Sequence, residues 1–193
     1  MSSFARHMTL GLLIAGLSFS AFAVAPDAML RQNVDKILAS LSDTSLDKDQ
    51  RWEIIRTTTE NSFDVELMGK LVVGRDNWMS FNEAQQKSYI DTFRRILLQA
   101  YSDQLENYAG ERLEFGNATI EGSKASVDSV MISKERRLPL VYKLRQQGDE
   151  WLVYDIVIDG VSILKTYRTQ YNDYLKQKSV DAFLEMLKGK AAE

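Results

Sequence analysis

Few residues in this sequence could do chemistry, and Asp155 is the most conspicuous of them. It sits in Trp151–Ile158, WLVYDIVI, where every other residue is apolar or aromatic. On strand periodicity it shares a face with Trp151, Val153 and Val157. A carboxylate placed there costs heavily unless it is paired. Two roles fit: a general base with a raised pKa, or a structural ion paired with an arginine such as Arg75 or Arg168. The ion pair is favoured, because no second catalytic group can be named. Arg75 follows Val73 and Gly74, so it could also hold a phosphate at a cavity mouth. Arg136 and Arg137 fall in a hairpin-length loop and read as solvated charges.

The absences narrow the chemistry further. The only histidine is His7, and there is no cysteine. Arg6 and His7 form a positive start, Met8 to Phe22 is apolar apart from Thr and Ser, and Ala21-Phe22-Ala23 offers small residues where a signal peptidase reads. The expectation is a secretory signal over residues 1–23, cleaved after Ala23, with residues 24–193 as a single domain. A membrane anchor is the alternative, but the run is short for a bilayer. The mature chain then has neither His nor Cys. A Ser-His-Asp triad, a thiol nucleophile and a His/Cys metal site are closed to it. The signal carries one of the 24 basic residues and none of the 27 acidic ones, leaving a net charge of −4. Such mild acidity argues against nucleic acid as a partner.

The elements that must position these groups follow from the pattern. Asp27–Leu41 reads as an amphipathic helix, with Leu30, Val34, Ile37, Leu38 and Leu41 in one stripe and Asp27 as its cap. Asp49–Asn61 reads as a second helix, and Phe63–Val73 holds a short third one stopped by Gly74. Ser80 and Glu83 match a capping box that opens the longest helix, Phe81–Tyr108, which Gly110 ends. The period then changes to two. Arg112–Glu121, Lys124–Ser133, Leu138–Gln147 and Glu150–Asp159 are four strands joined by hairpin-length connections. Gly160 breaks the last strand, Ser162 caps a helix to Lys176, and Val180–Lys188 forms a final helix that Gly189 stops. The layout is α+β: helices, a four-stranded antiparallel meander, and helices returning over it.

Trp151–Ile158 does not alternate, so both faces of that strand are dry. Its second face must meet more protein or an apolar ligand. Trp78, Phe93, Tyr101, Tyr108, Phe115, Tyr142, Trp151, Tyr154, Tyr167 and Tyr171 all fall on apolar faces. They read either as ordinary core or as the lining of a hollow between sheet and helices.

The chain resembles the MlaC, or toluene-tolerance, family along most of its length. Three blocks carry the likeness: Leu67–Arg75 (LMGKLVVGR), Phe93–Tyr101 (FRRILLQAY), and Trp151–Asp155 running on to Gly160-Val161-Ser162 and Tyr167-Arg168. Leu152, Asp159, Thr166 and Tyr171 depart mildly from the family pattern. The resemblance implies an NTF2-like α+β fold with an N-terminal helical extension and a deep apolar cavity for acyl chains. It implies a periplasmic phospholipid carrier, working as a monomer without cofactor, its cargo being bound phospholipid. The partners implied are an outer-membrane lipoprotein–porin complex and an inner-membrane ABC transporter with an MCE-domain ring.

On that basis the expected cavity lining comprises Leu71, Val73 and Trp78, then Phe93, Leu97 and Tyr101 on the long helix. Val127, Tyr142, Val153 and Val157 follow on strands, and Val161 and Leu164 after them. Arg75, Asp155 and Arg168 are the head-group or ion-pair candidates. Two other readings stand beside the carrier: an NTF2-like enzyme using Asp155 with a tyrosine, and an interaction module whose aromatics fill a solid core.

Overall fold

Local side chains decide where most of the helices begin. In the computed structural model, which describes residues 24–106, 111–134 and 136–192 (backbone only for 101–106), α1 is Pro26–Ser42. Proline at its first position supplies a preset φ, and Asp27 lies in the first turn rather than at the cap. The α2 helix, Lys48–Ser62, opens on a capping box between Asp47 and Gln50. Asp64 caps α3, Val65–Val73, by accepting from the Leu67 N–H at 3.0 Å. Gly74, with φ +77°, ends α3 and leads into α4, Arg75–Ser80, a short helix the sequence pattern did not announce.

The long helix α5, Glu83–Glu106, opens two residues later than the expected box. Asn82 Oδ1 accepts from the Gln85 N–H at 2.9 Å, and Gln85 Oε1 accepts from the Asn82 N–H at 3.0 Å. Ser80 instead closes α4, donating to the Asn77 carbonyl. The predicted signal segment, Tyr108 and Gly110 lie outside the described residues, as does the Tyr101 side chain.

The meander follows: β1 Arg112–Glu121, β2 Lys124–Ile132, β3 Arg137–Gln147 and β4 Glu150–Ile158, all antiparallel. A fifth strand, β5 Val161–Ser162, corrects the expected count of four. Asp159 (φ +50°) and Gly160 (φ +80°) form a two-residue turn with positive φ at both positions, so the chain folds back as a hairpin. Ser162 then caps α6, Ile163–Leu175, through the Lys165 N–H. The last helix, α7 Val180–Lys190, runs through Gly189 instead of stopping there.

One irregularity in β4 reverses a sequence expectation. Leu144 pairs with Val153 and Lys143 with Asp155, leaving Tyr154 as an extra residue in a bulge. Side chains therefore change face between Val153 and Asp155. Trp151 and Val153 share a face with Ile156 and Ile158, not with Asp155 and Val157. The period-two reading failed here because a bulge leaves no mark in hydrophobicity.

The core is double. A helical core joins Val72 and Val73 of α3, Tyr89, Phe93 and Ile96 of α5, Leu164 and Tyr171 of α6, and Phe183, Leu184 and Leu187 of α7. A sheet core joins Ala125, Val127, Leu144, Trp151 and Val153 to Leu30 of α1. Phe63 touches both. It sits beside β4, where the Asp64 N–H donates to the Val153 carbonyl at 2.9 Å.

Candidate functional site

Where the long helix, the start of α6 and the end of the sheet meet, the surface opens into a hollow. An open cavity of about 750 Å³ is lined by Ile96, Gln99 and Ala100 of α5, Ile158 of β4, Val161 of β5, Ile163, Thr166, Tyr167 and Gln170 of α6, and Lys190 of α7. The spacing explains the lining. Positions 96, 99 and 100 share one face of α5, and 163, 166, 167 and 170 share one face of α6. Ile96 is buried and Ile158, Ile163 and Tyr167 are half-buried, forming an apolar floor, while Gln99, Thr166, Gln170 and Lys190 are exposed at the rim. Ile158 lies on the same sheet face as Val153, so the floor continues the sheet core.

Two devices hold the cavity walls. The Asp159–Gly160 turn brings β5 back against Val157 and Ile158 and so aims α6. Asp155, 6% exposed, then fixes the start of α6 from below. The Ser162 hydroxyl donates to Asp155 Oδ2 at 2.7 Å, and the Leu164 N–H donates to Oδ1 at 3.2 Å. A carboxylate beneath a helix N-terminus is stabilised by free N–H groups and by the helix dipole. The expected ion pair with Arg75 or Arg168 is therefore corrected. Asp155 pairs with neither, and its burial is compensated by hydrogen bonds. Both arginines are exposed, and the Arg168 guanidinium lies over Gly74.

Aromatic rings form the wall between the cavity and the helical core. Tyr167 meets Phe93 edge-on at 6.0 Å and Tyr171 at 5.6 Å. Burial pushes the Tyr167 phenol above its ordinary pKa, so it stays neutral through the physiological range. Thr166 spends its hydroxyl on the Ser162 carbonyl at 3.2 Å. Among the ten lining residues there is no paired nucleophile and base. The arrangement can hold an apolar body with one polar end.

The expected lining residues distribute unevenly. Val161 lines the cavity. Val73, Phe93 and Leu164 are sealed in the helical core, with Trp78 and Leu97 packed on it. Val127 and Val153 are sealed in the sheet core, with Tyr142 against it. Val157 is half-buried on the opposite sheet face, and Leu71 is exposed. Leu97 and Leu164 each stand one residue, about 100° of helix, from Ile96 and Ile163, which do line the cavity. The missed signal was the 163–166–167–170 face of α6, whose apolar floor turns polar at its far end.

A second hollow, about 450 Å³, is lined by charged groups including Glu66, Lys70, Arg94 and Arg145. The buried Asp64 there pairs with Arg145 while capping α3, which ties α3 to β3. No helix among the described residues is long and apolar enough to cross a membrane, and none of their His, Cys, Asp and Glu side chains form a group that could hold a metal ion.

Comparison with known proteins places this architecture. A structure of a phospholipid-binding protein from Ralstonia solanacearum, in complex with a phospholipid, superposes with a TM-score of 0.77 at 22% identity. It covers 88% of this chain and 98% of that one. The intermembrane phospholipid transport system binding protein MlaC of Haemophilus influenzae is 22% identical over 179 residues, covering 88% of this chain and 83% of that protein. The toluene tolerance protein ttg2D of Pseudomonas putida is 27% identical over 99 residues, 50% of this chain and 46% of that protein. The sequence model for the MlaC protein matches residues 31–189, which include every buried core residue named above but Leu30 and every cavity-lining residue but Lys190. The chain belongs to the MlaC family.

Proposed function

We propose that this protein carries phospholipid between membranes, with acyl chains on the Ile96–Ile158–Ile163–Tyr167 floor and the head group at the polar rim. The observation that carries this reading is the open cavity of about 750 Å³ with an apolar floor, walled by α5, α6 and the end of the sheet. Its volume lies in the range of roughly 300–1,000 Å³ typical of small-molecule sites. Each CH₂ removed from water gains about 0.8 kcal/mol, so two long acyl chains represent on the order of 20 kcal/mol of exposure that a carrier must hide. The names of the Haemophilus and Ralstonia relatives, a transport binding protein and a phospholipid-binding protein, support the same cargo.

The working form is residues 24–193, a single domain in the periplasm after loss of residues 1–23. It acts as a monomer and needs no cofactor. It accepts and delivers lipid at an outer-membrane lipoprotein–porin complex and an inner-membrane ABC transporter with an MCE-domain ring. An enzymatic role centred on Asp155 has less support, because both carboxylate oxygens are engaged by Ser162 and Leu164. An interaction module with no ligand site has less support, because an apolar-floored cavity opens beside the helical core.

Mass spectrometry of lipid extracted from the purified protein, followed by delipidation and exposure to vesicles, tests the proposal. Phospholipid at near one molecule per chain, restored by vesicles, is the expected result. A chain that purifies lipid-free and takes up none from vesicles is not a carrier.

A further inference from the structure

The cavity rim carries a charge pattern that bears on which end of a lipid it recognises. Nine of the ten lining residues are uncharged, and Lys190 alone carries a formal charge. Lys190 is the last residue of α7 and is exposed. The neighbouring cation, Lys188, is held by Glu185 at 2.7 Å. No carboxylate among the described residues pairs with Lys190. The other rim groups, Gln99, Thr166 and Gln170, are neutral hydrogen-bonding side chains on α5 and α6. A groove with an apolar floor, a neutral polar rim and one unpaired ammonium is complementary to a ligand with an apolar body and a single fixed anion.

We infer that Lys190 is the phosphate-binding residue of the cavity, and that it makes the site select phosphate-bearing lipids over uncharged lipids of the same chain length. This rests on the carrier reading above. A lysine ammonium offers three donors on a flexible stem and acts on phosphate as a mobile point charge. Such a contact tolerates variation in the group esterified to the phosphate, as the rim, with no second charge, also does. Lys190 lies one residue beyond the last position that the family model matches. The competing role for Lys190 is to oppose the negative end of the α7 dipole. Lys188, in the same final turn but absent from the cavity lining, shares that role and serves as its control.

The test loads delipidated protein from vesicles that contain phosphatidylglycerol, phosphatidylethanolamine or diacylglycerol with identical chains. Lys190→Gln is expected to reduce loading of both phospholipids relative to diacylglycerol by about three- to tenfold, the range of one partly exposed charge-assisted contact. Lys190→Arg should restore the ratio, and Lys188→Gln should leave it unchanged. Raising salt should narrow the wild-type preference and have little effect on Lys190→Gln. An unchanged phospholipid-to-diacylglycerol ratio in Lys190→Gln, or an equal change in Lys188→Gln, overturns the assignment while leaving the carrier intact. Wild-type protein that loads none of the three lipids overturns both.

Discussion

Tyr89 and Tyr171 occupy the same helical core and differ in one hydrogen bond. Both are fully buried, but the Tyr89 hydroxyl donates to the Gly69 carbonyl at 3.0 Å, whereas the Tyr171 hydroxyl is buried without a partner. A buried hydrogen bond contributes about 1 kcal/mol net, and an unsatisfied buried group costs about 1–3 kcal/mol. Tyr89→Phe should therefore destabilise the protein by about 1 kcal/mol, while Tyr171→Phe should be neutral or stabilising by a similar amount. Urea unfolding of both variants checks the opposite signs. The same pair makes the protein sensitive to alkali. Desolvation pushes both phenols well above their ordinary value of 10.0, so the folded chain keeps protons that the unfolded chain loses. Their contribution is complete below pH 10 and declines above it by about 1.4 kcal/mol per pH unit per tyrosine. Stability measured between pH 9 and 11 should fall less steeply in Tyr171→Phe than in the wild type. Equal slopes would show that this phenol ionises as freely folded as unfolded.

At the scale of elements, α6 hangs from β4 by Asp155. Removing the Ser162 hydroxyl takes the cap from Lys165 and one donor from Asp155 together, so the two residues act as a unit. Ser162→Ala and Asp155→Asn should each cost about 1–3 kcal/mol, and the double variant should cost less than their sum by at least about 0.5 kcal/mol. Strict additivity would mean that Asp155 does not act through Ser162. On the other side of the helical core, α3 meets α5 at Gly69. A Cβ built there lies 2.6 Å from Ile90 Cδ1 and 3.2 Å from Tyr89 Cε1. Gly69→Val should lower stability by about 2 kcal/mol through overpacking. Gly69→Ala should cost less, since better helix propensity returns up to about 1 kcal/mol. These elements also divide what could be read in advance from what could not. Four strands fall within one residue of their predicted limits because Gly122 and Gly148 sit at positive-φ turns between clear alternations. The Tyr154 bulge and the two-residue β5 were invisible, because one inserted residue or a two-residue return leaves no periodic trace. Asp155 was rightly singled out as a buried charge, but its partners, a hydroxyl and a backbone N–H nine residues on, depend on the turn that brings α6 back over β4.

For the whole molecule, the consequence of an apolar floor shared by helices and the end of the sheet is that cargo and stability are linked. The Ile96–Ile158–Ile163–Tyr167 floor belongs to helices on one side and sheet on the other, and among the described residues it faces open space. Water against that floor is unfavourable in proportion to the apolar area it touches. An acyl chain in its place would bridge α5 and α6 to the end of the sheet. A ligand that binds only the folded state adds RT ln(1 + [L]/Kd), about 2.7 kcal/mol when its concentration is a hundred times Kd. The lipid-loaded protein should therefore unfold at higher urea concentration and higher temperature than the delipidated protein. Refilling from vesicles should restore the difference. Ile158→Glu separates this linkage from a general effect of lipid on solubility. Ile158 is half-buried at the end of β4, so a carboxylate there can still reach solvent in the empty cavity, but against an acyl chain it must be desolvated or neutralised. The variant should stay folded when empty, load at least about tenfold less lipid, and show no gain in stability on exposure to vesicles. A gain equal to that of the wild type would move the cargo away from the α5–α6–β4 cavity. A cooperative fold that already melts identically with and without lipid would show that the direct ties between helices and sheet, at Phe63, Asp64 and Asp155, couple the two cores without cargo.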